Sequence, residues 1–313
     1  MAADMKLVDE VIRTRLASDV ALIEQISHYI IGAGGKRIRP RLVLLFASAL
    51  GFDGPQKYEL AAIVEFIHTA TLLHDDVVDE SSLRRGRQTA NAMFGNAASV
   101  LVGDFLYSRA FQMMVGIDRM RVLQVLADAT NVIAEGEVLQ LMNMHDPDLA
   151  VDDYLRVIRF KTAKLFEASG RLGAVLAGAS SEIEEACADY GRALGTAFQL
   201  VDDLLDYEGD PQALGKNVGD DLREGKTTLP LLIAMERGSA DERALIRHAI
   251  EHGEIDRLKD IVNIVRQTGA LEATRTAARL EAEVARNSLR ILPPSAAREA
   301  LLELSARSVE RSS

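Results

Sequence analysis

Apolar residues recur with the 3.6-residue period of an α-helix along almost the whole of this 313-residue chain, and no stretch alternates as a strand would. A chain with that pattern folds as helices packed on helices. The places that break the pattern are acidic. Asp75-Asp76-Val77-Val78-Asp79 closes one apolar run, and Asp202-Asp203-Leu204-Leu205-Asp206 closes another 127 residues later with identical spacing. At 100° per residue, the first and fifth positions of each cluster lie about 40° apart on one helix face. Burying unpaired carboxylates is costly, so each cluster needs a counter-charge. All-oxygen donors suit hard dications, and Mg²⁺ is the usual one where a phosphate binds at the same place. Two such faces opposed across a cavity would hold a diphosphate through bridging Mg²⁺. A lone DDxxD at a helix end is ordinarily solvated surface; two copies, each in apolar sequence and each followed by basic, Gly-containing segments, favour a metal site.

The bulk properties narrow the class. Hydrophobic residues make up 48% of the chain, ample for a core, while aromatics are only 5% and Trp is absent. The net charge of −11 argues against nucleic acid as a partner. Cys187 is the one cysteine, which excludes an internal disulfide and fits a reducing, cytoplasmic setting. The first fifteen residues mix acids and bases without the apolar core of a signal peptide. The longest apolar stretch, residues 42–52, is too short for a transmembrane segment.

Gly, Pro and Asp punctuate the helical pattern. A glycine turn at residues 32–35 leads to Pro40 in the first turn of a helix predicted to reach Ala49 and stop at Gly51. The next helix is predicted over 57–79, followed by a polar loop over 80–91. Later breaks fall at His145-Asp146-Pro147, near Gly178, over 209–228 and at Pro293-Pro294. None has the length of an interdomain linker. The expectation is one all-α domain over residues 1–313, a bundle of about ten to thirteen helices around a central cavity.

Three basic groups flank the clusters: Gly34-Gly35-Lys36-Arg37-Ile38-Arg39, Arg84-Arg85-Gly86, and Gly215-Lys216 with Gly225-Lys226-Thr227-Thr228. Arg grips phosphate in a fork, Lys acts as a point charge, and Gly lets backbone approach a ligand. Lys161-Thr162 sits inside an apolar helical stretch, where Lys161 could equally snorkel to the surface. On the first cluster's helix, His68 falls within about 20° of Asp75, and Thr71 about 40° to its other side.

Taken together, GGKRIRP (34–40), HTATLLHDDVVDESSLRRG (68–86), KTA (161–163), FQLVDDLLDYEGD (198–210) and GK…DLREGKTTLP (215–230) resemble the trans-isoprenyl diphosphate synthases in order and spacing, over essentially the whole chain. The resemblance implies that Asp75, Asp76, Asp79, Asp202, Asp203 and Asp206 hold Mg²⁺ against an allylic diphosphate (farnesyl or geranyl). Arg84, Lys161, Thr162, Gln199, Lys216 and Lys226 would grip that diphosphate, and Lys36, Arg39, His68 and Arg85 would hold isopentenyl diphosphate. The family's basic C-terminal tail does not map onto this sequence; Arg307 and Arg311 are present there without an assigned role.

The implied chemistry accounts for the residue types. Charge withdrawal from the allylic diphosphate breaks its C–O bond. The isopentenyl double bond attacks the resulting cation, and the departing diphosphate takes the proton, so no side-chain base is required. Apolar helical walls keep water away. In the family, bulky residues one turn before the first cluster stop the growing chain. Ala70 and Thr71 occupy those positions here, which implies a C40–C50 product for quinone side chains, with geranylgeranyl diphosphate as the alternative. Met113, Met114, Met142 and Met144 are candidates for a soft pocket floor. A homodimer is expected, as is transient membrane contact for release of the apolar product. A terpene cyclase would carry Asn, Ser or Thr, and Glu in its second motif, a non-catalytic subunit would lose one cluster, and a di-iron bundle would need Glu-x-x-His pairs. None of these fits the motifs present.

Overall fold

The computed structural model describes residues 1–32, 34–84, 86–208 and 219–310. Among these, fifteen helices account for the architecture, and 81% of the structure is helical. The fold class is therefore all-α. The helix count exceeds expectation because short segments such as Ala90–Phe94 and Asp220–Arg223 form between the long ones.

The chain divides into two compact units. The first comprises Met1–Asp128, Ala168–Ala188 and Leu289–Leu301. It contains α1 (Ala2–Leu16), α2 (Ala21–Gly32), α3 (Ile38–Ala49), α4 (Gln56–Val78), α5 (Ala90–Phe94) and α6 (Asn96–Ile117). Helix α3 starts and stops where the Gly and Pro signals place it, with Gly51 in the left-handed region at φ 78°. Helix α4 is buried almost all round along its middle (Leu60 to Ile67), as its unbroken apolar sequence requires. The predicted polar loop after α4 is shaped more closely than expected. A minimal antiparallel hairpin, β1 (Leu83–Arg84) and β2 (Arg87–Gln88), pairs Leu83 with Gln88 and Arg84 with Arg87.

The second unit comprises Ala129–Glu167, Asp189–Ser288 and Leu302–Ser313. Helix α7 (Met120–Met142) ends in it. Next comes α8, which runs as Val151–Ile158, a π-helical turn Arg159–Ala163, and Lys164–Ala177. Helix α9 (Ser181–Glu208) carries the second acidic cluster. After it come α10 (Asp220–Arg223), α11 (Leu229–Arg237), α12 (Ala240–His252), α13 (Leu258–Gln267), α14 (Ala270–Ser288) and α15 (Ala296–Glu310). The core of this unit gathers Leu200, Leu204, Leu222, Leu231, Ile246 and Val265, all at most 2% exposed. Two glycines set the spacing around the π turn. A Cβ on Gly195 would stand 2.6 Å from the Cα of Ala163, and one on Gly136 would stand 2.6 Å from the backbone N of Lys161. Only Gly allows α7 and α9 to approach the turn so closely.

No helix among the described residues is long and apolar enough to cross a membrane.

Candidate active site

The first unit holds Lys36, Arg39, His68, Ala70, Thr71, Asp75, Asp76, Asp79 and Arg84. The second holds Lys161, Thr162, Gln199, Asp202, Asp203, Asp206 and Lys226. Arg85, Lys216 and Arg311 lie outside the described residues.

Within the first cluster the aspartates are not equivalent. Asp75 and Asp79 are half-buried, whereas Asp76 is fully buried. Arg84, on the first strand of the hairpin, donates from Nε to Asp76 Oδ1 at 2.8 Å, and its terminal nitrogen lies 2.7 Å from the same oxygen. Burial drives the Asp76 pKa upward, partly offset by Arg84 and reinforced by the charges of Asp75 and Asp79. The other oxygen, Oδ2, is buried with no hydrogen-bond partner. A buried carboxylate oxygen left in this state is destabilising until a cation or donor reaches it. The end of α4 is tied down by Asn91, whose Nδ2 donates to the carbonyls of Asp76 (3.0 Å) and Ser81 (3.2 Å). The sequence reading did not single out Asn91. Its only local signal was a polar residue at the start of a helix.

The isopentenyl candidates form a graded set: Lys36 is exposed, and Arg39 and His68 are half-buried. Between Lys36 and Arg39, Arg37 turns back at φ 50° and pairs with Glu65 at 3.0 Å, which braces the glycine turn against α4. Thr71 is half-buried and donates to the His68 carbonyl at 2.9 Å, while Ala70 has no exposed surface. At 100° per residue Thr71 shares the Asp75 face and Ala70 is turned about 140° from it. Among the methionines, Met113 and Met114 are buried, but Met142 is 73% exposed and cannot serve as a pocket floor. Its position near the end of α7 places it in solvent.

The second cluster also mixes exposures, but with the proportions reversed. Asp202 is half-buried, and Asp203 and Asp206 are buried. Both oxygens of Asp203 are engaged. Tyr154 on α8 donates to Oδ2 at 2.5 Å, and Gln199, one turn earlier on α9, donates to Oδ1 at 2.7 Å. Thr162 in turn donates to Gln199 Oε1 at 3.0 Å, joining the π turn to the aspartate helix. Burial and the neighbouring charge of Asp221 push the Asp203 carboxyl up to about 7, against the lowering effect of the Tyr154 and Gln199 bonds. Burial, then Asp203, holds the Tyr154 hydroxyl well above its ordinary value, so it stays a donor. The backbone N of Asp221 donates to Asp206 Oδ2 at 3.3 Å. Neither Tyr154 nor Asp221 was assigned a role from the sequence; nothing local marks Tyr154, whereas Asp221 opens the DLREGKTTLP segment.

The cations are partnered by carboxylates of the chain itself. Lys161 reaches Glu137 at 2.6 Å and Lys226 reaches Glu224 at 2.6 Å, as Arg84 reaches Asp76. The half-buried Asp75 and Asp79 in the first unit and Asp202 in the second are accessible enough to reach a divalent cation, and the buried Asp76 Oδ2 has no hydrogen-bond partner. Among the described residues no three His, Cys, Asp or Glu side chains close a cage.

Residues 20–265 match the polyprenyl synthetase family. The chain is 55% identical over 311 residues to the octaprenyl diphosphate synthase of Escherichia coli K12, covering 99% of this chain and 96% of that one. It is 46% identical over 312 residues to the geranyl-diphosphate-specific all-trans-nonaprenyl-diphosphate synthase of Rhodobacter capsulatus, covering 99% and 96%. The crystal structure of a polyprenyl synthase from Caulobacter crescentus CB15, complexed with calcium and isoprenyl diphosphate, superposes with a TM-score of 0.97 at 48% identity, covering 100% of this chain and 96% of that one.

Proposed function

The chain belongs to the polyprenyl synthetase family, and from that membership we propose that it is a long-chain all-trans polyprenyl diphosphate synthase making a C40–C50 product for quinone side chains. It is a prenyltransferase that condenses isopentenyl diphosphate onto an allylic diphosphate, farnesyl or geranyl. The observation that carries the reading is that both aspartate clusters are intact: Asp75, Asp79 and Asp202 are half-buried, Arg84 anchors the buried Asp76, and Tyr154 and Gln199 anchor the buried Asp203.

Mg²⁺, which Asp75 and Asp79 in the first unit and Asp202 in the second would hold, would supply Lewis-acid withdrawal of charge from the leaving diphosphate. Arg84, Lys161, Thr162, Gln199, Lys216 and Lys226 orient that group. Lys161 and Lys226 release their own carboxylates, Glu137 and Glu224, to bind it. Lys36, Arg39, His68 and Arg85 hold the isopentenyl partner. Thr71, small and on the metal face of α4, leaves the growing chain a path along the helix; Ala70 keeps the adjoining core thin. The domain acts as one 1–313 unit in the cytoplasm, with the apolar product passing to a lipid surface. A homodimer is supported by exposed apolar side chains on α6, where Leu101, Phe111 and Val115 share a face at 67%, 39% and 66% exposure.

Incubation of the purified chain with Mg²⁺, isopentenyl diphosphate and farnesyl diphosphate, followed by chain-length analysis, tests the reading. Products of forty to fifty carbons are expected. Arrest at twenty carbons would make it a geranylgeranyl diphosphate synthase instead.

A further inference from the structure

Away from the aspartate clusters, the last two turns of α12 place His248 and His252 four residues apart, so both rings share a face. Their ring centroids are 4.3 Å apart and the rings are tilted by 38°. We propose that this pair is a surface site for a borderline transition-metal dication of the zinc class. Two imidazoles on one tetrahedral ion, with metal–nitrogen bonds of about 2.0–2.1 Å, bring their ring centres to roughly 5 Å. The observed rings are close to that spacing, and both side chains are exposed and so able to turn their nitrogens toward a shared ion.

Three further features fit the role. The Nδ1 of His252 lies 2.9 Å from the carbonyl of His248. A ring that donates there carries its lone pair on Nε2, the usual arrangement in a metal-bound histidine. His248 Nε2 lies 3.4 Å from Glu254 Oε2, which puts a carboxylate beside the bound charge. The helix ends at Gly253, so the site also faces the negative end of the helix dipole. Among the described residues no group of three such donors is present, so water would complete the coordination sphere of an ion bound by the pair. Two imidazoles select zinc-like ions over Mg²⁺, which prefers oxygen donors. The site is therefore chemically distinct from the aspartate clusters.

The position is also mechanically connected to Lys226. The carbonyl of Ile250 on the same helix end lies 2.9 Å from His145 Nδ1, and the backbone N of His145 donates to the carbonyl of Gly225 at 2.8 Å. A bound ion stiffens the end of α12 that braces this segment.

The test uses the full, untagged chain in excess Mg²⁺, which keeps the oxygen sites filled, with Zn²⁺ titrated by calorimetry and followed by thermal melting. One Zn²⁺ per chain and a raised melting temperature are expected. His248→Gln and His252→Gln should each weaken binding at least tenfold and remove the thermal shift. Both side chains are on the surface, and prenyl transfer without Zn²⁺ should be unchanged. Failure of the wild-type chain to bind Zn²⁺, or equal binding by the double variant, would overturn the proposal.

Discussion

Tyr154→Phe isolates the hydrogen bond that holds Asp203 in place. The ring is 4% exposed and the hydroxyl lies 2.5 Å from Asp203 Oδ2, so the substitution keeps the packing and removes one donor. Asp203 is itself 3% exposed, so its Oδ2 would be left buried without a partner. An unsatisfied buried acceptor costs about 1–3 kcal/mol. At about 2–4 °C of melting temperature per kcal/mol in domains approaching this size, the loss is several degrees. If the same energy is lost from the transition state, turnover falls by roughly fivefold to 150-fold. A purely structural bond would lower the melting temperature alone. A bond that positions the second cluster should also raise the Mg²⁺ concentration for half-activity and the KM for the allylic diphosphate, leaving the KM for isopentenyl diphosphate nearly unchanged. Melting curves, Mg²⁺ titrations and steady-state kinetics on one purified variant provide all three readings. A Tyr154→Phe enzyme with wild-type melting temperature, Mg²⁺ requirement and allylic KM would refute the reasoning.

Asp75→Ala and Asp202→Ala should each lower turnover by several orders of magnitude with little change in melting temperature, since both side chains are half-buried and carry like charge that is relieved on removal; near-wild-type turnover in either would end the metal assignment. Thr71→Phe should shorten products toward fifteen or twenty carbons with the first condensation largely intact, whereas Ala70→Phe, at a site with no exposed surface, should overpack and destabilise by about 1–3 kcal/mol; product analysis and a thermal melt on both variants separate the two roles. Arg39→Ala should chiefly raise the KM for isopentenyl diphosphate, and an equal effect on the allylic substrate would contradict separate subsites. Because burial raises the folded-state carboxyl of Asp203 to about 7, above the unfolded value of about 3.9, its contribution to stability is present at low pH and lost as pH rises through that window. Mg²⁺ should therefore raise the melting temperature more at about pH 8 than at about pH 5.5, and an equal gain at both would argue against this coupling.

The helices, their breaks and both aspartate clusters were legible in the sequence because they rest on local rules: the 3.6-residue period, the Gly51 stop, and the fixed angle between positions one and five of each cluster. The same periodicity showed that Asp75 shares a face with Asp79. It carried no information on which face would turn inward. Tertiary packing decided that Asp76 and Asp203 point into the protein and meet Arg84, Tyr154 and Gln199. Tyr154 is 49 residues from Asp203, and Glu137 is 24 from Lys161. Such partners are set by how helices cross, and a local pattern does not encode a crossing. The π turn at Arg159–Ala163 was equally invisible, because one extra residue in a turn leaves the composition of Lys161-Thr162-Ala163 unchanged while rotating Thr162 toward Gln199. What kind of chemistry this chain performs was written in residue types and spacing; which carboxylates stay half-exposed and which are buried and held by distant partners was settled only when distant helices packed.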